Sequence, residues 1–254
     1  MSQRSLRDRA IDAAKRYLPA SLRKRVVRTQ RALHLQWPPA GLVRFGDFRR
    51  LTPISPIFGM DRGLPIDRYY IEKFLDRHRL DIQGRAMEFG DTFYLDKFGG
   101  DRMRQKDVFS YVPSAGATIV GDLTGPTVLA PNAFDCIVCT QTVQMIYDIR
   151  LAIGRLSAML KPGGVLLLAS NGLNKTGRHL DRDGWGEYWH ITQQAARSLF
   201  AEQFDGQYVV GAYGNVLSAM AALHGLAASE LSPEELEQPD RDYDVVVTVR
   251  AVKA

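Results

Sequence analysis

From residue 66 onward, the chain alternates between apolar residues at helical spacing and short, almost wholly apolar segments. After Pro65, apolar positions 66, 70, 71, 74 and 75 predict a helix over "IDRYYIEKFLDRHR". The segments "FDCIVCTQ" and "VLLLAS" have the length of a strand and contain few polar residues. Because strands that are buried on both faces read as nearly continuous apolar runs, these two predict the centre of a parallel sheet.

The remaining apolar patterns extend the same alternation through the rest of this region. Helices are predicted at "TFYLDKF", "IRLAIGRLSAML" and "TQQAARSLFAEQF", the last with Thr192 as its N-cap. Strands are predicted at "GRAMEF", "MRQKDVF", "ATIVGDL", "YVVGAYG" and "YDVVVTVRAVK". Strands that alternate with helices predict an α/β fold, with an open, mostly parallel sheet and helices on both faces.

The first 58 residues follow a different pattern, which predicts a basic helical extension ahead of a main domain at 59–254. Apolar residues recur every four positions from Leu6 to Leu18, and a second series begins at Leu22 and ends at Leu33. Residues 1–50 hold 13 Lys and Arg against three acidic residues, whereas the rest of the chain holds 20 basic and 25 acidic ones. The excess positive charge therefore belongs to the extension.

This extension has three possible roles that the sequence leaves open. It can be a solvated helical segment that packs on the main domain, a helix that adsorbs to an anionic membrane surface, or an arm that binds nucleic acid. The main domain is mildly acidic and carries no basic groove-like cluster. The sequence therefore favours nucleic-acid binding less than it favours the other two roles.

Composition places the chain among ordinary globular proteins. It has 254 residues, of which 45% are hydrophobic and 24% charged. No apolar run approaches the ~20 residues of a membrane-spanning helix, and the N-terminus lacks an apolar signal core. Cys136 and Cys139 lie three apart on a predicted strand, so their side chains point to opposite faces. We expect two core cysteines, no metal site, and a cytoplasmic protein, with the inner face of the membrane as a possible peripheral location.

A longer composite of motifs points to a known family. Residues 134–170 read "FDCIVCTQTVQMIYDIRLAIGRLSAMLKPGGVLLLAS", which joins "FD" and an apolar strand to "L-KPGG" and a second apolar strand. From about residue 60 to the end, the chain resembles the class I S-adenosylmethionine-dependent methyltransferases, in particular the small-molecule group with a methyltransferase type 11 core. The resemblance implies a seven-stranded, Rossmann-like sheet with an antiparallel last strand. It also implies S-adenosylmethionine as cofactor and S-adenosylhomocysteine as product.

The resemblance assigns the cofactor loop to "AMEFGDTFYLDKFGG", residues 86–100. Glu88 and Gly90 match the first two fixed positions of the family's acid-x-Gly-x-Gly-x-Gly motif, whereas Thr92 and Tyr94 stand where its later glycines would be. Those glycines let the backbone approach the ligand, so bulky residues there predict a working but reshaped loop. We expect Asp91 either to bind the cofactor's amino group or to cap the short helix that follows.

The resemblance also implies residues for the rest of the cofactor. Asp107 is expected to end the second strand and to accept both ribose hydroxyls, although a solvated strand-end acid is the alternative. Asp122 is expected to accept from the adenine amino group, with the Leu123 amide near a ring nitrogen. Gln141, after the fourth strand, is expected to face the methionine end, or else to be an ordinary polar residue at a strand end.

The acceptor is expected to lie against residues 171–193, "NGLNKTGRHLDRDGWGEYWHITQ", because this fold builds substrate walls after the fifth strand. Aromatic and polar side chains together suit a hydroxylated ring such as a sugar. His190 is the candidate general base, with a packing role as the alternative. Tyr69 and Tyr70, with Arg62, are expected to close over the cofactor as a lid, although core packing is equally compatible with Tyr70. The other polar candidates in the segment are His179, Asp181, Asp183 and Glu187.

Together these features predict an S-adenosylmethionine-dependent O-methyltransferase that acts on a glycan or another hydroxylated small molecule, in polysaccharide or secondary-metabolite biosynthesis. One alternative is a non-catalytic scaffold or binding module, which the missing glycines favour. Another is an RNA methyltransferase that uses the basic extension. Against it, Thr140-Gln141-Thr142 stands in place of the Asn/Asp-Pro-Pro-aromatic signature of enzymes that methylate base amino groups. The oligomeric state is left open.

Overall fold

A computed structural model describes residues 16–33, 38–126, 130–177 and 185–254. The chain divides into two compact units, residues 1–51 and residues 52–254. Most of the helix expected over residues 4–18 lies outside the described residues, and so do the polar candidates His179, Asp181 and Asp183.

The first unit contains the second of the two expected basic helices. Helix α1 spans Ala20–Ala32, and it begins where Pro19 accepts hydrogen bonds from the amides of Leu22 and Arg23, each at 3.0 Å. It has no acidic residue in its first turn. A short 3-10 turn, Gly46–Phe48, follows later in this unit.

The second unit alternates strands and helices as the apolar pattern predicts. Its helices are α2 Ile66–Arg77, α3 Phe93–Gly99, α4 Ile149–Met159, α5 Gln193–Ala201, α6 Val216–His224 and α7 Pro233–Glu237. Its strands are β1 Gly84–Phe89, β2 Met103–Ser110, β3 Ile119–Val120, β4 Phe134–Thr140, β5 Leu160–Asn171, β6 Tyr208–Tyr213 and β7 Val246–Val252. Four 3-10 turns lie at Arg79–Asp81, Gly100–Arg102, Val143–Met145 and Ala228–Glu230.

The seven strands form one sheet in the order β3-β2-β1-β4-β5-β7-β6. All neighbours pair in parallel except β7, which runs antiparallel to both β5 and β6. This confirms the expected α/β architecture, including the antiparallel last strand. The strand order reverses between β1 and β4, which are adjacent in space although β2 and β3 separate them in the sequence.

Two hydrophobic cores cover the two faces of the sheet. Helices α4 and α5 pack on one face, whereas α2, α3, α6 and α7 contribute to the core on the other. Cys139 belongs to the first core and Cys136 to the second, and both side chains are completely buried. The prediction of two core cysteines on opposite faces is confirmed. Burial raises the pKa of each thiol, so neither is present as a reactive thiolate.

The structure departs from the predicted elements in two places. The strand expected over "ATIVGDL" shortens to Ile119–Val120, because it pairs with β2 alone at the edge of the sheet. Helices α6 and α7, between the last two strands, had not been predicted. Asn215 caps α6, since its Oδ1 accepts hydrogen bonds from the amides of Leu217 (2.9 Å) and Ser218 (3.0 Å).

We predict that Asn215→Ala destabilises the protein by about 2–4 kcal/mol, since it removes a helix cap and leaves two partly buried carbonyls without this donor. The Asn215 side chain is buried, and its Nδ2 donates to the carbonyls of Glu235 (2.7 Å) and Gln238 (2.8 Å). Thr192→Ala is the matched control, because Thr192 caps the exposed start of α5 with one bond to the Ala195 amide at 3.2 Å. Thr192→Ala is expected to lower the free energy of unfolding, measured by urea denaturation, by only about 1 kcal/mol. Equal losses for both variants would contradict the special role of Asn215.

Candidate active site

The reversal of strand order between β1 and β4 defines the place where a ligand is expected. In open α/β sheets, ligands bind outside the carboxyl ends of the strands at such a switch point. Gly90 and Asp91 follow β1 directly, and Gln141 follows β4. The structure therefore brings three of the predicted site residues to one edge of the sheet.

Glu88, near the end of β1, holds the start of helix α3. Its carboxylate accepts hydrogen bonds from the amides of Tyr94 at 3.0 Å and Leu95 at 2.9 Å. The side chain is only 3% exposed, and this burial raises the pKa of Glu88 from the usual 4.5 to about 7, although the two amides oppose the shift. The acidic residue of the motif, Glu88, is thus buried and joins β1 to the start of α3 by hydrogen bonds.

Tyr94 shows why a bulky residue is tolerated where the motif has glycine. Its side chain is buried in the core beneath α3, and its hydroxyl accepts a hydrogen bond from Arg68 Nη1 at 3.2 Å. The side chain therefore points away from the cavity, which Arg68 lines while Tyr94 does not. The loop thus differs from a glycine-rich loop in that a buried tyrosine stands at this position.

The turn between β1 and α3 keeps one open backbone position. Gly90 has a φ of +85°, a conformation that favours glycine, and a Cβ built there would meet no heavy atom within 4 Å. Asp91 is exposed, and its Oδ1 accepts a hydrogen bond from the Phe93 amide at 2.9 Å. This bond shapes the turn that leads into α3, one residue before the N-cap Thr92, which itself makes no side-chain cap bond.

Asp107 does not occupy the end of β2, where the sequence analysis placed it. The strand continues three residues further, to Ser110. The carboxylate of Asp107 is 4% exposed and accepts hydrogen bonds from Arg85 Nε (2.7 Å) and Thr118 Oγ1 (3.0 Å). Burial opposes its ionisation, but the bonds from Arg85 and Thr118 outweigh burial and lower the pKa of Asp107. Asp107 ties β2 to its neighbours, and Ser110 is the residue at the strand end.

Asp122 lies in the turn after β3, as expected. Its Oδ1 accepts hydrogen bonds from the Thr124 amide at 2.7 Å and the Thr124 hydroxyl at 2.8 Å. The hydrogen bond from the Thr124 amide lowers the pKa of Asp122, so the carboxylate is ionised at neutral pH. The Leu123 side chain is buried in the core and fixes this turn against the sheet.

Gln141 is the centre of a polar network at the carboxyl ends of β4 and β5. It has a φ of +50°, which is uncommon for a residue other than glycine. Its Nε2 donates to Asp67 Oδ2 at 3.0 Å and to Asn171 Oδ1 at 2.9 Å, while its Oε1 accepts from Gln144. One amide therefore joins helix α2, strand β4 and strand β5.

The network continues to the segment that follows β5. Asn171 Nδ2 donates to Glu187 Oε1 at 2.7 Å, and Ser170 Oγ donates to Gln144 Oε1 at 2.9 Å. The Glu187 side chain is only 3% exposed. Burial raises the pKa of Asp67, which lies at the start of α2 on the other side of Gln141.

A cavity of about 450 Å³ opens over this network. Two carboxylates, Asp67 and Glu187, and two cations, Arg68 and Lys175, line it together with amides and apolar side chains. Burial lowers the pKa of Lys175, whose Nζ lies 4.1 Å from the centre of the Phe58 ring and donates to the Pro56 carbonyl. The other lining residues are Ile57, Met60, Pro65, Gln141, Gln144, Met145, Asn171, Thr176, Gly177 and Trp185.

His190 lies just outside the cavity rather than in its wall. Its Nε2 is 3.2 Å from Glu187 Oε2 and 3.4 Å from Thr176 Oγ1, and both of these residues line the cavity. The group that faces the cavity is thus the Glu187 carboxylate, with His190 on its outer oxygen.

Tyr70 belongs to the core, so the expected lid role is corrected. It lies on the inward face of α2, 1% exposed, where its ring stacks on Tyr213 at 5.6 Å and its hydroxyl donates to the Leu236 carbonyl at 2.9 Å. The Tyr69 hydroxyl donates to Glu237 at 2.7 Å, and Arg62 pairs with Glu230. Neither tyrosine lines the cavity.

Three residues of the network had not been predicted as site residues: Asp67, Gln144 and Ser170. Asn171 is the first residue of the segment predicted to face the acceptor, but its own role had not been predicted. Asn171 ends a buried strand, so the rule that polar residues after parallel strands face the ligand crevice would have found it. Asp67 and Gln144 carry no comparable signal, because they reach the network only through the packing of α2 and of the turn after β4.

Within the residues that the structure describes, no group of three or more His, Cys, Asp or Glu side chains is arranged to hold a metal ion. None of the described helices is long and apolar enough to cross a membrane.

Comparison with known proteins supports the resemblance noted in the sequence. A family model described as "Methyltransferase domain" matches residues 102–168. Similar solved structures include the [4+2]-cyclase SpnF (19% identity over 74% of this chain and 80% of that one, TM-score 0.46). A second is an S-adenosylmethionine-dependent methyltransferase from Mesorhizobium loti (14% identity over 77% of this chain and 100% of that one, TM-score 0.45). A third is the N-methyltransferase NodS from Bradyrhizobium japonicum WM9 in complex with S-adenosyl-L-homocysteine (16% identity over 76% of this chain and 89% of that one, TM-score 0.41). No curated protein matches the chain.

We predict that Glu88 makes the protein less stable as the pH rises from about 4.5 to about 7. Because its pKa is higher in the folded than in the unfolded chain, the unfolded state loses this proton first, which favours unfolding over that interval. A difference of this size corresponds to roughly 3 kcal/mol. In Glu88→Gln this fall in the free energy of unfolding should disappear.

The measurement is urea denaturation at a series of pH values. Glu202→Gln serves as the control, since Glu202 lies on the surface in an exposed pair with Arg150. If wild type and Glu88→Gln have parallel pH profiles, Glu88 is ionised in the folded protein and the assignment is wrong.

Proposed function

Starting from the class I S-adenosylmethionine-dependent methyltransferase domain that this chain carries, we propose that the enzyme methylates a hydroxyl group of a sugar or of another hydroxylated small molecule. The observation that carries the proposal is the cavity of about 450 Å³ over the network of Gln141, Asn171 and Glu187. Proteins that share one fold catalyse several different reactions, so the fold does not identify the acceptor. We infer the acceptor from the residues of this cavity alone.

The cofactor, when bound, supplies an electrophilic methyl group on a sulfonium ion. The residues after β1 fit such a ligand, because the open side of Gly90 allows close approach to the backbone. We assign Asp122 and the Leu123 amide to the adenine. Asp91 stands at the carboxyl end of β1, and we assign the ribose hydroxyls to its carboxylate in place of Asp107, whose oxygens are occupied inside the fold. Gln141 lies between these residues and the acceptor cavity.

The lining of the cavity suits a hydroxylated ring. Asp67, Asn171 and Glu187 present oxygen and amide groups of the kind that exchange hydrogen bonds with hydroxyls. On the other side, Phe58, Trp185 and neighbouring apolar residues offer contact for the C–H groups of a ring. A ring of six atoms with its substituents fits within this volume.

The Glu187–His190 pair is placed to take the proton that methyl transfer releases. Methyl transfer would exchange the cofactor's methyl–sulfur bond for a methyl–oxygen bond, with S-adenosylhomocysteine as the leaving group. The acceptor's O–H bond would break, and the Glu187 carboxylate would accept the proton. His190, at 3.2 Å from the outer oxygen of Glu187, shares that proton and can pass it to solvent, because its side chain is 36% exposed. The sequence predicted His190 alone as the general base, whereas this proposal assigns that role to Glu187 and His190 together.

Glu187→Gln should lower kcat about 10²–10⁴-fold, the usual contribution of a proton acceptor, without weakening cofactor binding. His190→Ala should lower kcat less and shift the pH–rate profile. The measurements are methyl transfer to candidate hydroxylated acceptors and calorimetry with S-adenosylhomocysteine. Glu230→Gln, on the surface pair with Arg62, is the control. A folded protein that takes up no S-adenosylhomocysteine would favour the scaffold alternative instead.

We also propose that helix α1 brings the enzyme to an anionic membrane surface, on its cytoplasmic face. Leu22 and Val26 lie on one side of the helix at 44% and 43% exposure, and Leu33, directly after its end, is 61% exposed. Basic residues occupy the remaining arc, and no acidic residue lies between 20 and 32. A basic face with an apolar stripe is the pattern of helices that lie in the membrane interface. The basic side chains described on this helix are Arg23, Lys24, Arg25 and Arg28.

Co-sedimentation with lipid vesicles tests this role. Wild type should bind vesicles that contain phosphatidylserine, should bind pure phosphatidylcholine weakly, and should be released by salt. Changing Arg23, Lys24, Arg25 and Arg28 to Gln should abolish binding, whereas changing Arg77, Arg79 and Arg102 to Gln should not. Vesicle binding that persists in the first variant would exclude the role, and salt-sensitive binding to RNA without vesicle binding would assign α1 to nucleic acid.

A further inference from the structure

Three aromatic side chains form an exposed cluster beside the cavity. Tyr147, Tyr188 and Trp189 are 73%, 61% and 39% exposed. The ring centroids of Tyr147 and Tyr188 are 5.4 Å apart with an edge-on contact, and Tyr147 stacks on Trp189 at 6.3 Å with an angle of 26° between the rings. We call these three residues the aromatic platform.

The platform is held in place by hydrogen bonds rather than by burial. The indole Nε1 of Trp189 donates to the Ile146 carbonyl at 3.0 Å. The amides of Tyr188 and Trp189 donate to the Gln144 carbonyl at 2.8 and 3.2 Å. The backbone under all three rings is thus joined across two segments, so the platform is pre-organised for a ligand.

The same two segments build the wall of the cavity. Gln144 and Met145 line the cavity just ahead of Tyr147, and Trp185 and Glu187 line it just ahead of Tyr188. Trp185 therefore lines the cavity, whereas the three platform rings belong to the same two segments but are not part of its lining.

We propose that the aromatic platform is a second sugar-binding subsite, which stacks the ring adjoining the one that is methylated. The inference rests on the proposed function and narrows it to an acceptor of two or more linked rings. The C–H face of a pyranose ring packs on an aromatic face, whereas its hydroxyls stay in water or bind polar groups at the edge. The platform offers both, because its rings are exposed and polar groups border it at His190 and at the two tyrosine hydroxyls.

The experiment compares saccharides of increasing length. Wild type loaded with S-adenosylhomocysteine is titrated with glucose, cellobiose and cellotriose, and with the matching series of mannose and N-acetylglucosamine, by saturation-transfer NMR. In at least one series the disaccharide should bind about tenfold more tightly than the monosaccharide. Tyr147→Ala and Tyr188→Ala should remove that gain and leave monosaccharide affinity unchanged. Tyr111→Ala is the matched control, since Tyr111 is also 73% exposed but follows β2.

The outcomes separate the platform from the proposed function. If a monosaccharide binds but no disaccharide binds more tightly, or if Tyr147→Ala keeps the full gain, the platform is not a subsite although the cavity is one. If no saccharide of the three series binds, both the platform's role and the sugar acceptor are wrong. A dimer in ultracentrifugation that Tyr147→Ala dissociates would assign the platform to contact between two copies and overturn the inference.

Discussion

The site depends on one side-chain amide, that of Gln141 at the carboxyl end of β4. Its two N–H groups bind Asp67 and Asn171, and its carbonyl oxygen binds Gln144. Since Asn171 in turn binds Glu187, one residue connects helix α2, two central strands and the segment after β5. A buried network of this kind is strong only when every member is satisfied, which explains why Gln141 holds a left-handed backbone to reach its partners. The walls of the cavity are therefore positioned by hydrogen bonds and not by apolar packing alone.

The turn between β1 and α3, where the sequence predicts the cofactor loop, is built without the later glycines of the motif. Glu88 takes the first amides of α3, and Tyr94 turns its ring into the core beneath the helix. In the turn between β1 and α3, the residue with a positive φ is Gly90, at +85°. Arg68 then connects this loop to the cavity, since it donates to the Tyr94 hydroxyl and also lines the cavity wall.

The segment after β5 divides its aromatic residues between two environments. Trp185 faces the cavity, whereas Tyr188 and Trp189 join Tyr147 on the outside. Glu187 lies between these positions, buried and bound to the central network, with His190 on its solvent side. Because Glu187 is fixed through Asn171, proton acceptance and ring binding are proposed for residues that share one rigid support.

The sequence by itself determined the elements of the sheet and the family they resemble, because apolar periodicity is local and the "FD", "KPGG" and "YDVVV" segments keep their order. It also placed Gly90, Asp91, Asp122 and Gln141 correctly after their strands, since polar residues that follow buried strands gather at one edge. Only the tertiary structure decided which of these groups meet. Asp107 is paired inside the fold because β2 continues three residues beyond it, to Ser110, and Tyr70 faces the core because α6 and α7 cover it. Asp67 and Glu187 reach Gln141 and Asn171 across distances of 74 and 16 residues along the chain, and hydrogen bonds between such distant residues leave no periodic trace in a sequence.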